Sequence, residues 1–226
     1  MKNRREMIKS LVFVVLALVF ALSFISQVEA REIRGKYAIV GEATCVTHWL
    51  VNPNNPTNPS ATPYYTLTSS VQGTTTFNGN GTGSVQASLV QILHPIYTPI
   101  PLGPYWLEPS WPFSLPPNII GGNTETSDIS FRFTYTVAPN GHVTRAVIPG
   151  TVTGTFTSGP FAGKTFTFTP FTLTGFVSIF NETILLSSVP GQPEILTTDI
   201  FNSDGSLFGR NEQECHRSRV LTLIGF

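Results

Sequence analysis

The chain has 226 residues and no net formal charge, with 12% charged residues against 41% hydrophobic and 12% aromatic ones. That balance excludes the basic footprint that nucleic-acid binding needs and any polybasic membrane patch, so no nucleic-acid partner is expected. Solubility falls to Thr, Ser, Asn and Gln, a composition that fits an extracellular β-protein.

The chain opens with Lys2, Arg4, Arg5 and Lys9, an apolar run from Leu11 to Phe24, and Val28-Glu29-Ala30, with small residues where a signal peptidase reads. Residues 1–30 are expected to be a secretory signal, and residues 31–226 one exported domain, periplasmic or extracellular. The alternative is an uncleaved anchor, because the run approaches spanning length. Cleavage would remove four basic and two acidic residues and leave a slightly acidic chain with no membrane partner.

Gly35 to Val46 reads as the first strand, with Tyr37, Ile39, Ala43 and Cys45 on one face. An Asn/Pro tract from Asn52 to Pro59 cannot pair in a ladder and is expected to be a surface loop. Tyr65 to Phe77 and Thr82 to Leu93 form a hairpin across Asn78-Gly79-Asn80-Gly81. Between His94 and Asn118 eight prolines mix with Tyr97, Tyr105, Trp106, Trp111 and Phe113. A long aromatic loop of this kind is expected either to cover one end of the domain, to contact a ligand or glycan through Trp106 and Trp111, or to offer a proline-rich peptide to a partner.

From Ser127 to Ser188 the pattern is clearest. Ile129, Phe131, Phe133, Tyr135 and Val137 alternate with polar residues, and Ala138-Pro139-Asn140-Gly141 reverses the chain into His142 to Ile148. A strand through Val152 and Phe156 follows, and then one bearing Phe166 and Phe168. Beyond Pro170 the apolar residues are Phe171, Leu173, Val177 and Ile179, so their parity has changed and a bulge or corner is expected there. Phe180-Asn181-Glu182 reads as a hairpin tip leading to Ile184. Glu194 to Phe201 and Glu214 to Ile224 complete the set, around the turn Asn202 to Gly205. The expected fold is all-β: a single antiparallel up-and-down β-barrel of eight to ten strands, with the 94–118 loop over one end.

The two cysteines, Cys45 and Cys215, lie on the first and last strands. In an exported protein such a pair is most simply a disulfide, and it would hold those strands side by side as barrel closure requires. A redox or metal-binding pair is the alternative, without the C-x-x-C spacing that such sites use.

Gly35-Lys36-Tyr37 on the first strand and Cys215-His216-Arg217-Ser218-Arg219 on the last resemble the layout of lipocalins (calycin-type barrels). That resemblance implies Tyr37 in place of a tryptophan, with Arg217 or Arg219 packing across it. Gly81-Thr82-Gly83, the run Phe133 to Val137, the run Gly175 to Ser178 and the Cys215 to Arg219 motif are similar to a group of small secreted bacterial proteins of unassigned function.

No catalytic motif is present: His48, His94, His142 and His216 have no ligand spacing, and no nucleophile elbow, His-Glu-x-x-His or phosphate loop occurs. No metal and no cofactor are expected. Glu42 is expected to face solvent because its alternation partners Lys36 and Thr44 are polar. An eight-stranded barrel holds one small ligand or packs solid. The first expectation is therefore a small apolar ligand lined by Phe131, Phe133, Tyr135, Phe166 and Phe168, with Trp106 and Trp111 at the mouth. Two others stand beside it. One is an isomerase or cyclase, which needs a buried carboxylate or histidine of shifted pKa inside the barrel. The other is a surface module for glycan or protein, which needs a solid core.

Overall fold

The computed structural model describes residues 32–51, 65–95, 124–189 and 192–226. The expected signal segment, the Asn/Pro tract, and the loop beyond Pro95 with its Trp106 and Trp111 lie outside the described residues. Among the described residues the regular elements are β1 (Arg34–Val51), β2 (Tyr65–Asn78), β3 (Thr82–Pro95), β4 (Thr124–Val137), β5 (His142–Val147), β6 (Thr153–Phe156), β7 (Thr165–Phe168), β8 (Thr172–Val177), β9 (Thr183–Ser187), β10 (Glu194–Phe201) and β11 (Leu207–Gly225). All pair antiparallel, in one sheet.

The sheet closes on itself. Neighbours run β1-β2-β3-β4-β5-β8-β9-β11, and β11 pairs back onto β1, giving a barrel-like ring of eight strands. Strand period 2 explains the interior: along β4 the pattern of buried and exposed residues alternates without a break from Glu125 to Val137. Asn140-Gly141 makes the turn into β5 as expected, with Gly141 at φ 82° and the His142 N–H donating to Asn140 Oδ1.

Eleven elements replace the expected eight to ten because three positions in the ring are each divided. β5 pairs with Phe133–Val137 of β4, and β6 with Ser127–Ser130 of the same strand. Likewise β9 pairs with Ser218–Thr222 of β11, and β10 with Leu207–Cys215. The pairs β5/β6, β7/β8 and β9/β10 are thus single wall positions, broken around Pro149, Pro170 and Pro193, where a proline removes a ladder donor. The parity change at Pro170 is real: Phe166 is buried before it, Leu173 and Val177 after it. The backbone at each break stays tied to its neighbour, through Ile148 N–H to Arg132 O, Thr169 N–H to Thr197 O and Ser188 N–H to Arg217 O. The last strand also begins earlier than Glu214. Its first residues, from Leu207, pair with β10, and polar residues facing inward at Asn211 and Gln213 hid them from an apolar pattern.

One end of the ring is plugged. Tyr37, Phe77, Phe133 and Tyr135 meet edge to face, with Phe77 5.3 Å from Tyr37, 5.2 Å from Phe133 and 4.9 Å from Tyr135 between ring centroids. Tyr135 Oη donates to the Ile33 carbonyl, and Tyr37 Oη to the Asn181 carbonyl at 2.8 Å. Asn181, at φ 58°, sits at the tip of the β8–β9 hairpin and its side-chain amide donates to Glu32 O. At the opposite end the chain leaves β1 after Val51 and β3 after Pro95.

The seam is locked by a disulfide between Cys45 and Cys215, which are direct partners in the β1–β11 ladder and 170 residues apart in sequence. A bond of this kind is consistent with an oxidising, exported environment. Replacing both cysteines by serine is expected to lower unfolding stability by about 2–5 kcal/mol, chiefly through the freed entropy of the unfolded chain, read as a shift in the urea midpoint.

Candidate functional site

Between the aromatic plug and the opposite end, the ring encloses two cavities, of about 60 Å³ and about 70 Å³. They share the wall formed by Leu67, Leu89, Gln91, Ile129, Phe168, Gln213 and Arg217. Each holds several times the ~10–15 Å³ one water requires, yet falls well below the ~300–1,000 Å³ of pockets for drug-sized ligands. Whatever fits must be small.

The inner cavity is bounded by Ile39, Cys45, Phe131, Phe171, Arg145 and Arg219. Strand alternation carries the arginines inward: Arg145 shares a face with Val143 and Val147, and Arg217 and Arg219 lie on the β11 face of Cys215 and Leu221. Arg217 Nη1 donates to Glu194 Oε2 at 2.7 Å, and its guanidinium stacks over Phe171 at 4.6 Å. The other Glu194 oxygen accepts from Ser188 Oγ at 3.0 Å, and Ser188 Oγ accepts from the Arg217 N–H at 2.9 Å. The break between β9 and β10 places Ser188 and Glu194 there, and the Pro170 corner delivers Phe171. Arg219 Nη1 donates to the carbonyls of Glu42 and Ser218. It passes Gly41, where a Cβ would lie 2.5 Å from Arg219 Cδ, so a glycine is needed at that position. Arg145, 2% exposed, lies 5.2 Å from the Phe133 ring and 6.0 Å from Phe131, and its Nε and Nη1 are buried without a partner.

Burial lowers all three guanidinium pKa values, to about 10 for Arg145 and, with repulsion from Arg217 and Arg145, to about 9 for Arg219. Arg145 and Arg219 keep their protons at neutral pH.

The outer cavity mixes Phe156, Phe161 and Phe166 with Glu125, Ser127 and Asn211. Glu125, 3% exposed, has an Oε1 without a partner, as do Ser127 Oγ and Asn211 Oδ1. Burial pushes the Glu125 carboxyl up to about 8, so it is neutral at physiological pH.

Of the aromatics expected to line a site, Phe131, Phe166 and Phe168 border these cavities. Phe133 and Tyr135 belong to the plug instead, and Trp106 and Trp111 lie outside the described residues. Glu42 is exposed on the outer face, as its polar partners predict. No arginine crosses Tyr37: among the described residues Arg217 stacks on Phe171, and Tyr37 packs on Phe77. No group of His, Cys, Asp and Glu among the described residues could hold a metal. Sequence reasoning missed Glu125 and Arg145. Both sit on the buried parity of their strands, and extending the Ile129–Phe131 alternation two steps back reaches Glu125. Compared with known proteins, the chain matches no family model and no curated protein.

Glu125 generates a pH signature. Its folded pKa of about 8 exceeds the ordinary 4.5, so between these values the unfolded chain has lost a proton that the folded chain keeps. Stability contributed by this residue therefore falls as pH rises through that window, at up to about 1.4 kcal/mol per pH unit. Chemical denaturation from pH 5 to 8 should show this slope in the wild type, and a shallower one in Glu125→Gln.

Proposed function

We propose that the protein is an exported up-and-down β-barrel of lipocalin-like kind that binds one small molecule inside its ring. The enclosed pair of cavities carries this reading, because a ring of eight strands otherwise fills its interior with side chains. Phe131, Phe166, Phe168 and Phe171 supply apolar walls, and a few convergent polar groups supply orientation, the usual division of labour in a binding site. Entry is from the end where the chain leaves β1 and β3, opposite the aromatic plug. The Cys45–Cys215 bond and the residue 1–30 segment support export.

Native mass spectrometry of the protein recovered from its own host tests this reading directly. A stoichiometric small molecule is expected on the wild type and absent from Ser69→Leu, which fills the inner cavity from β2. That variant should lose binding by at least about tenfold while its stability changes by no more than about 1 kcal/mol. A bare wild-type protein that also fails to take up added small acids or amides would sink the reading.

Glu125 favours a second reading, an isomerase or cyclase in which this neutral carboxyl donates a proton to the bound molecule. In that case the wild type releases a converted ligand, whereas Glu125→Gln retains the unconverted one, a difference visible in the extracted small molecule.

A further inference from the structure

Among the described residues the charges inside the ring do not balance. Three guanidinium groups, those of Arg145, Arg217 and Arg219, border one cavity, and Glu194 is the carboxylate whose field acts on all three. Glu194 is already committed, one oxygen to Arg217 and the other to Ser188. Arg219 is held by two backbone carbonyls, which satisfy N–H groups but cancel no charge. Arg145 has the rings of Phe133 and Phe131 beside it and, among the described residues, no acceptor for Nε or Nη1. A buried cation without a counter-charge is strongly destabilising, because desolvation is not offset by a paired charge. An apolar side chain at residue 145 would fill the same space without that cost.

We propose that the inner cavity binds the carboxylate of a small organic acid, with Arg145 as its principal partner. The inference rests on the small-molecule reading above and names the ligand class. A carboxylate there accepts from the free Arg145 donors and lies within the field of Arg219, making charge-assisted hydrogen bonds in a site of low dielectric. Phe131, Phe168 and Phe171 then contact the organic body, which extends past the shared wall toward the outer cavity. Glu125, neutral at pH 7, does not repel the ligand. The chamber volumes limit the acid to a short or slender one. The Phe and Leu walls distinguish it from a bare inorganic anion, which would leave them in contact with nothing.

Calorimetric titration of the disulfide-bonded protein at pH 7 with hexanoate, hexanamide and inorganic phosphate tests the inference. Hexanoate should bind at least about tenfold more tightly than hexanamide, since hydrogen bonds from a charged donor to a charged acceptor exceed neutral ones by that order. Arg145→Met should bring the ratio of hexanoate to hexanamide affinity close to one, whereas Arg145→Lys should retain some of the preference. The wild-type comparison stands even if a variant fails to fold. Equal affinity for hexanoate and hexanamide, or a preference that survives in Arg145→Met, overturns the inference and leaves the small-molecule reading standing. Phosphate binding as tightly as hexanoate also overturns it, in favour of an inorganic anion. Failure of all three to bind overturns the inference, and together with a bare protein from its own host it overturns the small-molecule reading as well.

Discussion

Closure of the ring at the β1–β11 seam is the constraint on which the rest depends. Along this seam Lys36 to Val51 pairs with Arg210 to Gly225, the most extensive contact between any two elements. Because β1 and β11 complete each other's ladders, neither is left as a free sheet edge, and the faces they turn inward are cut off from water. The Cys45–Cys215 bond sits inside this ladder, on the buried face, and makes the pairing covalent. The displaced pKa values of the interior follow from that enclosure: loss of solvent shifts Glu125, Arg145 and Arg219, with repulsion from Arg217 and Arg145 adding to it at Arg219 and attraction to Glu194 opposing it at Arg145.

The wall is not uniform. β1 to β4 and β11 run its length, whereas the three intervening positions are broken at neighbouring levels by proline-containing bulges. Bulges bend a strand and re-aim its side chains, and here they do so toward a single place. Phe171 follows the Pro170 corner and lies beneath Arg217, while Ser188 and Glu194 flank the break between β9 and β10 and bind the same arginine. The broken positions thus supply Arg145 and the partners of Arg217 to the charged cavity. The full-length strands supply Arg217, Arg219 and Gln213 from β11 and Phe131 from β4, and otherwise mainly aliphatic and small residues with Gln91.

Along its axis the interior changes character. Four aromatic rings and two tyrosine hydroxyls bonded to backbone carbonyls seal one end with ordinary core packing. Unpartnered polar atoms border the cavities, on Glu125, Ser127, Arg145 and Asn211, and others lie at the plugged end, on Thr75 and Asn181. A fold seldom tolerates such groups where only stability is at stake, and places where local rules are broken without a structural gain are where function is sought. An apolar carrier would need none of them.

The amino-acid sequence by itself determined the all-β class, most strand positions, the turn at Asn140-Gly141, the corner at Pro170 and the pairing of the only two cysteines. Each is a local signal: side-chain period, turn chemistry, a missing backbone donor or residue count. Alternation also determined which residues face inward, so Arg145, Arg219 and Glu125 were legible as buried positions, though an apolar pattern search passes over them. Only the tertiary structure decided that three arginines from β5 and β11 border one cavity and that one of them pairs with a carboxylate from β10, that Phe133 and Tyr135 serve a plug while Phe131 and Phe168 border a cavity, and that eleven elements make eight ring positions. Those facts depend on register between strands distant in sequence and on how far three bulges displace the wall. A period of two along one strand carries no information about either.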